Sequence, residues 1–303
     1  MQKLTSEHLF HNYHPYDMPD EPPLRVEQGE SFLIETVDTD DRRVFSEQDL
    51  KKQPGPMAGN PSTGPVYVDG IKAEDVIAVT IESLEVVGHT SIGCEGVEDW
   101  LLPGWAGKPQ EYFVRIESGC AHFPGGIKVP VAPMFGCFGI VPTSERYEPF
   151  THGGNLDIPD ICAGNTIHVR CERDGGYFAC GDGHAIQGDG EINSYSLEVS
   201  LVGRLRIEKS RLDPKCMVIE TPDKLITVGV AGNVRGSVAL ATYSMADLLA
   251  NSRGLDLSEA YHMVSHVGDI RVGAVWPLWH GEHLIPVPFC LHLDRDYFNA
   301  EKE

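Results

Sequence analysis

Along residues 197–207 the chain alternates strictly. Leu197, Val199, Leu201, Leu205 and Ile207 fall on one side of an extended backbone, and Glu198, Ser200, Arg204 and Arg206 on the other. That period of two predicts a half-buried strand. Ile77, Val79 and Ile81 alternating with Ala78, Thr80 and Glu82 predict a second, and Ile167, Val169 and Cys171 against Thr166, His168 and Arg170 a third. Residues 31–37 read as a strand running into the acidic turn Asp38-Thr39-Asp40-Asp41. Residues 51–65, punctuated by Pro54, Gly55, Pro56, Gly59, Pro61, Gly64 and Pro65, read as loop. The period lengthens only late. Leu240, Tyr243, Leu248 and Leu249 give helical spacing over 237–252, with Gly254 placed to end the helix. Asp256 and Glu259 form a capping-box pair for a second helix through Tyr261 and Val264. Strands over 270–275 and 283–293, with a turn near Gly281, complete the pattern.

These elements predict a β-rich fold of sandwich- or barrel-like lobes with a smaller C-terminal α+β lobe. Residues 1–215 form the β-rich domain, expected to carry the site, and 216–303 the α+β lobe. Composition agrees: in 303 residues, 32 Gly and 21 Pro favour frequent turns over a helical bundle. The net charge of −21 repels phosphate backbones, so nucleic acid is excluded as a partner, whereas a neutral small molecule or a metal ion is compatible. No apolar run reaches the length of a membrane span, and the N-terminus lacks a signal-peptide core, so a cytoplasmic protein is expected. The eight cysteines contain no Cys-x-x-Cys pair and read as reduced, mostly core residues.

The densest polar cluster is residues 181–191, GDGHAIQGDGE, with Asp182, His184, Gln187, Asp189 and Glu191 among four glycines. An Asp and a His two apart on an extended segment point to one side. Carboxylate oxygen plus imidazole nitrogen suits a borderline divalent ion such as zinc, with a third ligand from elsewhere. The competing reading is a Gly-rich polar turn. Asn155 and Asp157, after Gly153-Gly154, share a face if extended. His280-Gly281-Glu282-His283 has hairpin spacing, not that of a helical zinc motif. Cys180 abuts the cluster and is a candidate nucleophile, though without a local base.

These blocks together resemble the acetamidase/formamidase family. GDGHAIQGDGE resembles its signature. Asn60 to Gly70, NPSTGPVYVDG, is similar to its Pro-x-Thr-Gly-Pro block, and Gly153-Gly154-Asn155-Leu156-Asp157 to its Gly-Gly-Asn-Met-Asp block. Glu35-Thr36-Val37-Asp38, Glu220-Thr221-Pro222 and Arg253-Gly254-Leu255 match further landmarks, so the likeness runs from about residue 5 to 293. The resemblance implies a β-rich homodimer that hydrolyses small linear amides of the formamide or acetamide type, with metal ions at its site, zinc or calcium. Carried onto this chain, it makes Asp182 and His184 metal ligands with Asp38 as the third. Glu191 becomes the general base and then acid, Asn155 and Gln187 orient the amide or hold the oxyanion, and Asp157 accepts from the amide N–H. The rival from another class is an amidase-like metal- or ligand-binding β-protein without catalysis.

Overall fold

A computed structural model describes residues 1–11, 17–42, 54–94, 104, 110–144, 152–193, 195–275 and 287–299. Among them, sixteen strands share one sheet. Its chain elements include β1 (Ser31–Thr36), β2 (Ser62–Val68), β3 (Val76–Cys94), β4 (Met134–Ile140), β5 (Gly153–Asn155), β6 (Thr166–Arg170), β7 (Phe178–His184), β8 (Glu198–Lys209), β9 (Met217–Glu220) and β10 (Lys224–Gly229). Helices α1 (Val234–Arg253) and α2 (Leu257–Val267) follow, then β11 (Asp269–Val272) and β12 (Phe289–Asp294). The sheet runs β5-β4-β7-β8-β3-β6-β9-β10-β12-β11, each neighbour antiparallel. β1 adds to β8 and β2 to β7. The β-rich class with a small helical part is the one the sequence pattern predicts. No described helix is long and apolar enough to cross a membrane.

The alternating positions explain the packing. Leu197, Val199, Leu201, Leu205 and Ile207 all lie in the main core with Phe32, Ile34, Ile77, Val79 and Ile81. Each such side chain, taken fully from water, stabilises the fold by roughly 1.5–3 kcal/mol. In β9 and β10 alternate residues serve two cores. Ile219, Ile226 and Val228 face the main core, whereas Val218 and Leu225 pack with Ala241, Met245 and Leu249 of α1. The sheet therefore passes without a break from the β-rich part into the part that carries the helices.

Gly254 ends the first helix as expected, but α1 starts at Val234, three residues before the predicted 237. Asn233 caps α1 by accepting from the Gly236 N–H, and Gly254 ends it in the left-handed region. Asp256 and Glu259 make the reciprocal capping box of α2. One expectation fails at 62–65, which belong to β2 and not to a loop. The register between β2 and β7 shifts between Phe178 and Cys180, and Gly64 and Pro65 sit at that irregularity. A bulge tolerates a proline without an N–H. A Cβ on Gly64 would stand 2.9 Å from the Ala179 Cβ, so the close approach needs glycine. Residues 280–283 and Thr151 lie outside the described residues.

Candidate metal and amide site

β7 delivers Asp182 and His184 to one side of the sheet, as two residues apart on a strand must be. Their side chains meet, with His184 Nε2 3.4 Å from Asp182 Oδ1. The neighbouring strand β8 contributes Glu198, which pairs directly across from His184. Glu198 Oε1 lies 3.2 Å from the same Nε2. On the imidazole's other edge, Nδ1 is 2.8 Å from Gln187 Oε1. A carboxamide oxygen only accepts, so Nδ1 carries the proton and Nε2 faces the two carboxylates. Gln187 Nε2 in turn donates to the Asp157 carbonyl at 2.5 Å.

β4 forms the floor. Cys137 pairs with Gly181 on one side and with Asn155 of β5 on the other. The Cys137 thiol donates to Asn155 Oδ1 at 3.0 Å. Beside it, the Gly136 carbonyl accepts from the N–H groups of both Leu156 and Asp157, which turns the chain so that the Asp157 carboxylate comes back over Gly136. A Cβ on Gly136 would lie 2.6 Å from Asp182 Oδ2, 2.7 Å from Asp157 Oδ1 and 2.8 Å from His184 Cε1. The missing side chain of Gly136 is thus the space into which the acidic groups converge.

Glu191 enters from the loop after β7. Its N–H donates to the Gly188 carbonyl, and the next turn is strapped from outside by Val275 N–H on the Gly190 carbonyl and by Arg271 on Asp189 at 2.7 Å. Ser196 Oγ donates to Glu191 Oε1 at 2.9 Å. Asp157, Asp182 and Glu191 all have positive φ, 48°, 53° and 38°. Three non-glycine residues in that sparse region at one place mark a backbone held under strain by its surroundings.

The result is two groups that share His184: Asp182, His184 and Glu198, and Asp157, His184 and Glu191, each with ligand atoms within 4.8 Å of one another. All five residues are buried. Burying so many acids is unfavourable, and the protonation equilibria register it. Burial, reinforced by the charges of Glu191 and Asp182, pushes the Asp157 carboxyl well above its usual range. Burial raises Glu191 to about 7, with His184 opposing. Burial likewise raises Glu198 to about 8 against the pull of His184. For His184 burial disfavours the charged ring, yet Glu198 and Asp182 outweigh it and hold the imidazolium well above its ordinary value. The cluster therefore competes for positive charge.

Three of its atoms, Asp157 Oδ1, Asp182 Oδ1 and Glu198 Oε2, are buried without a hydrogen-bond partner among the described residues. Orphaned carboxylate oxygens converging with an imidazole nitrogen are the donor set of a divalent-cation site, so the residues present fit a metal. A cavity of about 250 Å³ opens onto Glu191, Gln187 and Ser196 and connects this buried chemistry to the outside.

The structure thus gathers Asp157, Asp182, His184, Gln187 and Glu191, with Asn155 reached through Cys137. Asp38 is in neither group of possible ligands. It is buried, not a solvated turn, and its Oδ1 accepts from the Arg42 N–H at 3.0 Å. It follows β1, two residues beyond Thr36, which pairs with Leu201 of β8. Glu198 forms a group of possible ligands with Asp182 and His184. Sequence reasoning missed Glu198 because it lies on the polar face of β8 with Ser200, Arg204 and Arg206. Only the pairing of β7 with β8 shows it opposite His184. Cys180 is fully buried in the main core and burial drives its thiol well above the usual range, so it presents no thiolate.

Residues 144–213 match the family model of the Acetamidase/Formamidase family. Among solved structures, the chain is similar to an acetamidase from Bacillus halodurans, with 27% identity, 98% of each chain covered and a TM-score of 0.85. It is also similar to a predicted acetamidase/formamidase from Thermoanaerobacter tengcongensis, with 25% identity over 97% of this chain and 95% of that one, TM-score 0.84. An acetamidase from Yersinia enterocolitica, 23% identical over 99% and 93% of the two chains, shares the fold with a TM-score of 0.79. A comparison with curated proteins finds no match.

Proposed function

We infer from the match of residues 144–213 to the acetamidase/formamidase family model and from the likeness to solved acetamidases that this chain hydrolyses the carbon–nitrogen bond of small linear amides, formamide and acetamide being the simplest, with a divalent metal ion as its cofactor. The observation that supports the metal and the reaction together is the pair of buried groups around His184, one of which includes the cavity-lining Glu191.

In this reading Asp182, His184 and Glu198 hold the ion, and Asp38 braces the turn after β1 through Arg42. The oxygen–nitrogen set suits zinc; calcium is the alternative favoured by the number of carboxylates. Bound there, such an ion supplies an activated water and a polarised carbonyl. Glu191, raised toward neutrality by burial, takes a proton from the attacking water and returns it to the leaving nitrogen. Water is thereby added across the C–N bond to give a carboxylic acid and ammonia, which leave near neutral pH as carboxylate and ammonium. Asn155 keeps its Nδ2 donor for the developing oxyanion because Cys137 occupies its Oδ1. Asp157 accepts from the amide N–H. Gln187, whose carboxamide bridges His184 and the Asp157 carbonyl, fixes the imidazole tautomer.

We take residues 1–215 as the body that carries this site and 216–303 as the α+β lobe whose segment 271–275 braces the Glu191 loop. The enzyme acts as a homodimer in the cytoplasm, where the buried thiols Cys137, Cys171, Cys180, Cys216 and Cys290 stay reduced. Ammonia release from formamide and acetamide by purified, metal-replete protein tests the activity, and light scattering tests the dimer. A protein that binds a divalent ion stoichiometrically and releases no ammonia from any small amide would be the non-catalytic alternative.

A further inference from the structure

The cavity beside Glu191 is larger than the simplest amides need. By the ~30 Å³ that one water occupies in the liquid, its 250 Å³ holds about eight waters, whereas acetamide has only four heavy atoms. Its walls are also divided. Gln187, Glu191 and Ser196 belong to the buried cluster, and each has an apolar neighbour in sequence that lines the same cavity: Ile186, Ile192 and Leu197. Phe123 completes the apolar part from a separate element. It follows the strand Cys120–His122 of a small three-stranded sheet, and its N–H donates to the Ile127 carbonyl. No Lys or Arg is among the described lining residues. The one other charged group there, Asp189, is engaged by Arg271. Ile192, 57% exposed although large and apolar, stands next to Glu191 and lines this cavity.

We propose that this cavity is an acyl pocket, and that the preferred substrates are primary amides of uncharged apolar acids longer than acetate, with Phe123, Ile186 and Ile192 as specificity-determining residues. The inference rests on the amide-hydrolase reading. A carbonyl carbon at Glu191 and the cluster sets the acyl chain beside the adjoining cavity, whose apolar wall of Phe123, Ile186, Ile192 and Leu197 favours methylenes over water. A substrate carrying a carboxylate would meet Glu191 and Asp189 with no cation in the lining to receive it, so such amides are excluded.

The test is kcat/KM of the metal-replete enzyme for formamide, acetamide, butanamide, hexanamide and succinamate. The expected result is a rise of about fourfold per added methylene, the ~0.8 kcal/mol of a buried CH₂, together with rejection of succinamate. Ile192→Ser should lower the ratio of hexanamide to acetamide activity by about threefold or more. Ile192→Lys should raise the ratio of succinamate to hexanamide activity. Activity that peaks at formamide or acetamide and falls with chain length overturns the acyl pocket while the hydrolase reading stands. A ratio unmoved by both Ile192 variants also overturns it. No turnover of any of these amides overturns the hydrolase reading and the pocket with it.

Discussion

His184 Nε2 lies 3.2 Å from Glu198 Oε1, and the two residues are direct cross-strand partners in β7 and β8. Glu198 is therefore held by the sheet ladder itself rather than by a loop. A ligand set built on rigid strands keeps its geometry whether or not the ion is bound.

Removing the ion should abolish amide hydrolysis, and Glu198→Gln should weaken metal binding. Three carboxylate oxygens of the cluster have no hydrogen-bond partner among the described residues. Metal analysis after dialysis against a chelator, and again after adding zinc or calcium, checks this. Full activity in verified metal-free protein contradicts the assignment.

Glu191→Gln keeps the shape of the side chain and its contact with Ser196 but removes the proton acceptor. The expected loss is roughly 10²–10⁴ in kcat, the usual size of a general acid–base contribution. Metal content should stay at the parent level. A variant that loses its ion as well makes Glu191 a ligand.

Gly136→Ala introduces a Cβ within 2.8 Å of Asp182, Asp157 and His184. The strand should persist, since alanine is at home there, while the carboxylates are driven apart. A misplacement of about 1 Å is enough to lower the rate by roughly 10²-fold. Circular dichroism unchanged from the parent, with metal content and kcat both reduced, is the expected combination. Parent-like activity would mean the acidic groups do not converge over Gly136.

Cys180→Ala should retain kcat to within about tenfold, because a buried, protonated thiol is not a nucleophile. Complete loss of ammonia release with the fold and metal intact would restore the thiol mechanism.

Glu220 gives a stability prediction away from the site. Its hydrogen bond from His168 holds the carboxyl down to about 2 against burial, with Arg211 and Arg295 adding to the effect. A depressed folded-state value means that the stabilisation is full above the ordinary carboxyl value of 4.5 and is lost as the pH falls through about 2. Thermal unfolding should show Glu220→Gln less stable than the parent at pH 7, with the gap closing between about pH 4.5 and 2. A gap that is constant over that range contradicts the linkage.

Much of this protein is legible one residue at a time. Period-two alternation placed β3, β6 and β8, and the caps at Gly254, Asp256 and Glu259 are local chemistry that needs no distant partner. The spacing of Asp182 and His184 put both on one side of a strand for the same reason. The blocks that resemble the acetamidase/formamidase family are also legible in the sequence, because their order can be read without knowing how they meet. What it did not determine is which polar residues leave water together. Glu198 alternates with core residues like any solvent-facing group, and Asp38 ends a strand as a ligand might. Only the pairing of β7 with β8 brought Glu198 to His184, and only the turn on the Gly136 carbonyl carried Asp157 over the same point, while Asp38 stayed with Arg42. Side-chain period is a property of the local backbone. Convergence depends on register between segments far apart in the chain, and that is decided by how the whole sheet buries its apolar faces.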